Sequence, residues 1–224
     1  MRVGRAAPGG DPQRRPAPWA AAKVKSASRR DILLHAGDGE RKVGMQMRLL
    51  DLYSVEEWDR LLGSFKTVMG IAPITIDGAG NPVTSACFTC EACRMIKSTP
   101  EGAKRCKEGH QQMVAEAKAS RKALVKACHA KFLKVTIPIF NGDEFLGITG
   151  GCNVLPENEK VDDEFFHRLA TEIGVDGEQL AAAAKKAKRV SNAVAQMQIQ
   201  TLMLRIRARM TQIGRIQRQG VAPA

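Results

Sequence analysis

The fold is decided by Phe132-Leu133-Lys134-Val135-Thr136-Ile137-Pro138-Ile139-Phe140, then Asn141-Gly142-Asp143, then Phe145-Leu146-Gly147-Ile148-Thr149-Gly150-Gly151. The first run is rich in β-branched and aromatic residues and reads as a strand. Asn-Gly supplies the positive backbone angles of a tight hairpin, so the third run is its antiparallel partner. Working outward, Ala123–His129 reads as a further strand and Ile71–Asp77 alternates as another. Gly78-Ala79-Gly80-Asn81-Pro82 is a turn, and Val83-Thr84-Ser85-Ala86 a short returning strand. The sum is five antiparallel strands, with helices inserted between the second and third.

The helices carry their own signals. Ser54-Val55-Glu56-Glu57 is a capping box, followed by Trp58, Leu61, Leu62 and Phe65 at helical spacing. Gly70 ends that helix. Ser98-Thr99-Pro100-Glu101-Gly102 starts a second, running to about Ser120, with Pro100 near N1. Two more are expected at about 161–173 and 177–188, and a long one at about 188–217. The apolar positions of the long helix are Val190, Val194, Met197, Ile199, Leu202, Ile206, Met210 and Ile213. Such a stripe must be covered, and a parallel homodimer seam is the reading preferred here over packing within one chain. The opposite face carries Arg205, Arg207, Arg209, Arg215 and Arg218, read first as a solvated face. The fold class is therefore α+β, and residues 47–184 form the domain. Residues 185–224 form a dimer or signalling helix with a tail. Residues 1–46 are either disordered or the product of a mis-assigned start at Met45 or Met47.

Composition excludes several classes. The chain has 224 residues, 44% hydrophobic but only 4% aromatic, so its core is aliphatic. The formal net charge is +12, but it sits at the ends. Residues 1–48 hold 11 Lys/Arg against 4 Asp/Glu, and residues 185–218 hold 9 against none. Residues 49–184 hold 15 against 19, and a mildly acidic fold does not attract phosphate chains, so nucleic acid is not the expected partner. No apolar run approaches the roughly 20 residues of a membrane span. Ser28-Arg29-Arg30-Asp31-Ile32-Leu33-Leu34 superficially resembles an export signal, but polar His35-Ala36-Gly37-Asp38 follows; a cytoplasmic location is expected.

Six cysteines in such a chain read as thiols, a metal site or a redox switch rather than a disulfide framework. They are Cys87, Cys90, Cys93, Cys106, Cys128 and Cys152. The spacing of the first three resembles the start of a ferredoxin loop, but the next ligand position is Lys97. A fourth ligand would have to come from Cys106, Cys128 or Cys152, the last two expected at strand ends. Thiolates select zinc, copper(I) or an iron–sulfur cluster. Arg94, Lys97, Lys104, Arg105, Lys107 and Lys126 flank the cysteines and would favour thiolate. The competing reading of any one cysteine is a small buried hydrophobe. His129 follows Cys128, and both could act on one centre only if the strand ends there. The same divergence argues against a Cys128-His129 catalytic nucleophile. Gly147-x-x-Gly150-Gly151 lacks a phosphate-loop pattern and is read as permitting close backbone approach. His110 and His167 are read as surface or packing residues, and Asp162-Asp163-Glu164 as an acidic first turn.

Taken together, residues 49–180 resemble the PocR sensory domain. The stretches that carry this are Leu49–Phe65, Gly70–Pro82, Cys93-Arg94-Met95-Ile96, Ser98–Cys106, Cys128-His129-Ala130, and Ile137-Pro138-Ile139 through Gly151. The resemblance implies a PAS-like fold: a five-stranded antiparallel sheet with flanking helices. It implies a non-catalytic sensor of small hydrocarbon derivatives such as short diols, usually placed before an output module. Here only a helix and tail remain, so a separate output protein is the implied partner. Lys131 stands where the family usually has Gly, and Cys87, Cys90 and Cys152 add to the family's Cys93, Cys106 and Cys128. The expected ligand site is Cys93, Cys106, Cys128, His129 and Cys152. The expected metal set is Cys93, Cys106, Cys128, Cys152, Cys90 and Cys87, for an iron–sulfur cluster or zinc. The alternative function on this fold is an iron–sulfur or zinc redox switch or carrier.

Overall fold

The computed structural model describes residues 47–85 and 90–218. Its elements are α1 (Leu49–Leu52), α2 (Val55–Ser64), β1 (Ala72–Asp77), α3 (Glu91–Lys97) and α4 (Pro100–Ser120). Then come β2 (Leu124–Ala127), β3 (Leu133–Asn141), β4 (Glu144–Pro156), α5 (Asp163–Ile173), α6 (Gly177–Lys185), β5 (Arg189–Val190) and α7 (Asn192–Arg218). A π-helical segment, Phe65–Met69, continues α2 and stops at Gly70, whose φ is +72°.

The sheet runs β1-β4-β3-β2, all antiparallel, with the two-residue β5 added parallel to the end of β4. The β3–β4 hairpin forms at the expected place, with Gly142 at φ +59° in its turn. The five-stranded α+β expectation stands, but one member differs. Of the expected returning strand at 83–86, Ala86 lies outside the described residues and Val83–Ser85 form no ladder; an isolated bridge joins Ile76 to Pro82 just before them. Four residues of this kind cannot build a ladder when the Thr75 carbonyl alone takes the amides of Val83 and Thr84. The fifth place goes to Arg189-Val190, laid against a β4 five residues longer at its C-terminal end than the apolar run suggested.

Glycines make the sheet's centre possible. A Cβ at Gly150 (φ +154°) would lie 2.1 Å from the Val135 carbonyl oxygen, and one at Gly147 (φ +147°) 2.2 Å from that of Ile76. The close-approach reading of this motif holds.

Helix starts follow the capping chemistry. The Ser54 hydroxyl accepts from the Glu57 amide at 3.2 Å, and the Glu57 carboxylate accepts from the Ser54 amide at 2.8 Å. Thr99 caps α4 by accepting from Gly102 at 3.2 Å, and Asp162 and Asp176 cap α5 and α6.

Alternation along β3 splits the interior. Val135, Ile137 and Ile139 join α1, α2 and α7 in one core with Trp58, Leu62 and Phe65. The long helix supplies Ile199, Leu202, Ile206 and Ile213 to that core, all buried. This corrects the seam: the stripe expected to pair two chains is covered within one. Met197, counted in the stripe, instead lies on the outer face at 53% exposure. Arg209 is only partly solvated; its Nε donates to the Leu52 carbonyl at 2.8 Å and its guanidinium sits 5.6 Å from the Tyr53 ring centre. A second core gathers α3, α5 and α6 with Ala130, Phe132 and Leu155, and includes Cys90 and Cys93, with Cys106 and Cys128 packed against it.

Candidate functional site

Five cysteines lie among the described residues, all as free thiols; Cys87 is outside them. Cys90 is the N-cap residue of α3 and Cys93 lies in its first turn, where a loop was expected. Both are buried in the second core, and Cys106 of α4 and Cys128 pack against it. Cys152 is not at a strand end, as expected, but inside β4, directly opposite Lys134 of β3 and Ala72 of β1.

Cys128 follows the last residue of β2, and the turn that reverses the chain decides what His129 can reach. The Cys128 amide donates to the Phe132 carbonyl at 2.8 Å, and the Lys131 amide to the Cys128 carbonyl at 2.9 Å. Because the strand ends at Ala127, neighbouring side chains need not diverge. The Cys128 thiol accepts from the Ala130 amide at 3.4 Å, while His129 Nε2 lies 3.2 Å from the Cys106 Sγ. The turn needs a left-handed residue, and Lys131 takes φ +62°. That conformation costs a non-glycine residue about 1–2 kcal/mol. It is offset here by an ion pair to Asp162 at 3.2 Å and by the Phe165 ring, 4.3 Å from the ammonium.

The thiols interact electrically as one group. Burial pushes the Cys106 thiol up, Cys152 adds to the effect, and Lys97 and Lys134 oppose it. Burial likewise pushes Cys128 up to about 11, with Cys152 and Cys106 among its neighbours. Cys93 rises most, chiefly through its hydrogen bond with Cys90, then through burial, with Cys152 and Cys128 contributing. The same thiol–thiol bond brings Cys90 down to about 7. Burial also lowers the two nearby imidazoles: His129, and His110, which falls to about 4. His129 Nδ1 is buried without a hydrogen-bond partner among the described residues.

Of the expected residues, Cys106 of α4 and His129 of the β2–β3 turn meet directly at 3.2 Å, while Cys93, Cys128 and Cys152 are joined to this pair only by electrostatic influence on one another's thiols. Among the described residues, however, no three His, Cys, Asp or Glu side chains are arranged to hold a metal ion. Sequence reasoning missed Lys134. It is a lysine only 8% exposed, on β3, whose pKa burial lowers and whose titratable neighbours are Cys152, Cys128, Cys106 and Lys97. Its signal was a single lysine inside an apolar strand, on the same alternation as Thr136. His110, set aside as a surface or packing residue, also borders this group through Lys134. His167 does lie at the surface, 3.6 Å from Glu178.

The fold is an antiparallel sheet flanked by helices, with free thiols, two imidazoles and Lys134 gathered near one end of it. The family model for the sensory domain found in PocR matches residues 51–212, so the chain belongs to the PocR sensory-domain family. The match reaches well into α7. No curated protein and no solved structure gives a significant match. Among the described residues no helix is long and apolar enough to cross a membrane.

Proposed function

We propose that the protein is a non-catalytic cytoplasmic sensor that takes a small hydrocarbon derivative between α4, the β2–β3 turn and the β3–β4 strands. The single observation that carries this reading is the meeting of Cys106 and His129 at 3.2 Å, from segments 23 residues apart, beside a buried Nδ1 with no partner. A buried polar atom without a partner is costly, and a ligand that supplies one recovers that cost. Family membership supports a small-molecule ligand. The route outward is α7, whose inner residues share a core with β3 and β4. A ligand that distinguishes two arrangements of the sheet therefore biases the helix, and a separate output protein or a second copy reads its outer face.

The test is a thermal-shift screen of short diols, aldehydes and carboxylates on the full chain, with amide exchange followed in α7. A hit should raise the wild-type midpoint, slow exchange in α7, and fail on Cys106→Ala and His129→Ala. If hits survive both variants unchanged, or no compound of these classes binds, the reading falls.

A second reading, an iron–sulfur or zinc redox switch, draws on the mutual influence of Cys93, Cys106, Cys128 and Cys152. It requires those side chains, with Cys90 or Cys87, to turn toward one centre. Anaerobic purification with an absorption spectrum and elemental analysis tests it. Colourless, metal-free protein with every thiol titratable would exclude it.

A further inference from the structure

We propose that the site is built for a small organic anion, a short-chain monocarboxylate, with Lys134 as the counter-charge; this rests on the sensor reading above. Lys134 is 8% exposed and faces Cys152 across the β3–β4 ladder. Lysine is almost never so buried without a partner, because an ammonium removed from water demands a compensating charge. Other lysines in this fold have one: Lys126 pairs with Glu116, Lys131 with Asp162 and Lys185 with Asp163. Among the described residues no carboxylate pairs with Lys134. The groups that influence it are three thiols and Lys97, a second cation.

The residue directly opposite Lys134 on β4 is Cys152, a thiol and not a carboxylate. The guanidinium of Arg105, close to His129, is itself taken by Glu101 and Glu172. That leaves the buried Lys134 ammonium with no carboxylate beside it among the described residues. In the tautomer with its proton on Nδ1, where Nε2 accepts from the Cys106 thiol, His129 adds an N–H donor with no partner among the described residues. A carboxylate answers both needs, giving one negative charge and several acceptor sites. A neutral diol would leave the ammonium uncompensated. A phosphate dianion would call for more donors than one lysine and one imidazole. The surroundings, which include Met113, Thr136 and Ala130, are soft and weakly polar, which suits a short hydrocarbon body.

The experiment is calorimetric titration of the full chain at neutral pH with four probes: propionate, propionamide, propane-1,2-diol and inorganic phosphate. Propionate should bind at least about tenfold more tightly than propionamide, the size of one charge-assisted hydrogen bond. Lys134→Met and Lys134→Gln should each lose about tenfold or more of that affinity. Lys134→Met should also melt no lower than wild type, since it removes a buried charge without breaking a pair. Diol or propionamide binding as tightly as propionate, unaltered by either Lys134 variant, would overturn the anion assignment and leave the sensor reading standing. Tightest binding by phosphate, or no binding by propionate, would overturn it too. The sensor reading fails separately, on the Cys106→Ala and His129→Ala screen.

Discussion

On one side of the sheet, Trp58, Phe65, Ile137 and Leu202 close a core of large side chains whose buried polar groups are satisfied, the Trp58 indole N–H by the Leu49 carbonyl at 3.1 Å and the Thr75 and Thr149 hydroxyls by each other at 3.0 Å. On the other side and beyond its end, the interior mixes Cys90, Cys93 and several alanines with Ile96, Leu155, Leu169, Ile173, Leu180 and two phenylalanines, and is bordered by Lys134, His110 and His129. Both are buried, the first against β3 and the second mostly among α3, α5 and α6. They differ in what burial does. Large apolar side chains convert burial into stability. Titratable groups convert it into shifted protonation and unmet hydrogen-bonding capacity, which is stability forgone and ligand affinity made available. Sensing needs the second kind of interior resting on the first.

Four experiments probe that contrast. The largest effect is expected from Trp58→Ala, which empties the first core: about 3–5 kcal/mol should be lost in chemical denaturation. A loss below about 1 kcal/mol would mean that α7 and α2 are not what closes that side.

Next in size is acid. His110 has a folded pKa of about 4 against an ordinary 6.5, held down mainly by burial and then by Lys134 and Lys97. The depressed value means that the unfolded chain binds the proton first. Stability is therefore whole above pH 6.5, falls as pH drops toward 4, and levels off below that. The full loss is about 3 kcal/mol for this site. Unfolding curves at several pH values should show His110→Gln without that component. An unchanged acid profile would remove the imidazole from the buried side.

The third experiment concerns the Cys90–Cys93 pair. Alkylation of Cys90, followed by mass spectrometry across pH, should have its midpoint near 7, and Cys93→Ala should move it toward the ordinary 9.0. If the midpoint stays put, the thiol–thiol hydrogen bond is not its cause. The smallest effect is expected at Leu204, 65% exposed on the outer face of α7. Leu204→Ala should change stability by no more than about 0.5 kcal/mol, while Ile206→Ala, two residues on but buried, should cost about 2–5 kcal/mol. Equal effects would mean that α7 is rotated or paired differently.

What could be read without coordinates was local. The β3–β4 hairpin announced itself through Asn141-Gly142, and α2 through its capping box, because turns and caps are chemistry between residues a few positions apart. The list of cysteines was visible too, and so was the glycine pattern of β4. The segment at 83–86 misled because four residues with strand composition say nothing about whether a neighbour is free to pair with them. The stripe on α7 was correctly seen as needing cover, but periodicity is the same whether the cover is a second chain or the helix's own sheet. Tertiary structure decided that, by placing Val135, Ile137 and Ile139 beneath it.

It also decided the site. Spacing could nominate Cys106 and His129 but could not bring Sγ and Nε2 to 3.2 Å, since that contact depends on β2 ending at Ala127 and on Lys131 adopting a left-handed turn. Nor could the one-dimensional pattern show that Lys134 is sealed in without a carboxylate among the described residues. A side chain's charge is written in its residue type, but the cost of that charge is set by everything the fold stacks around it.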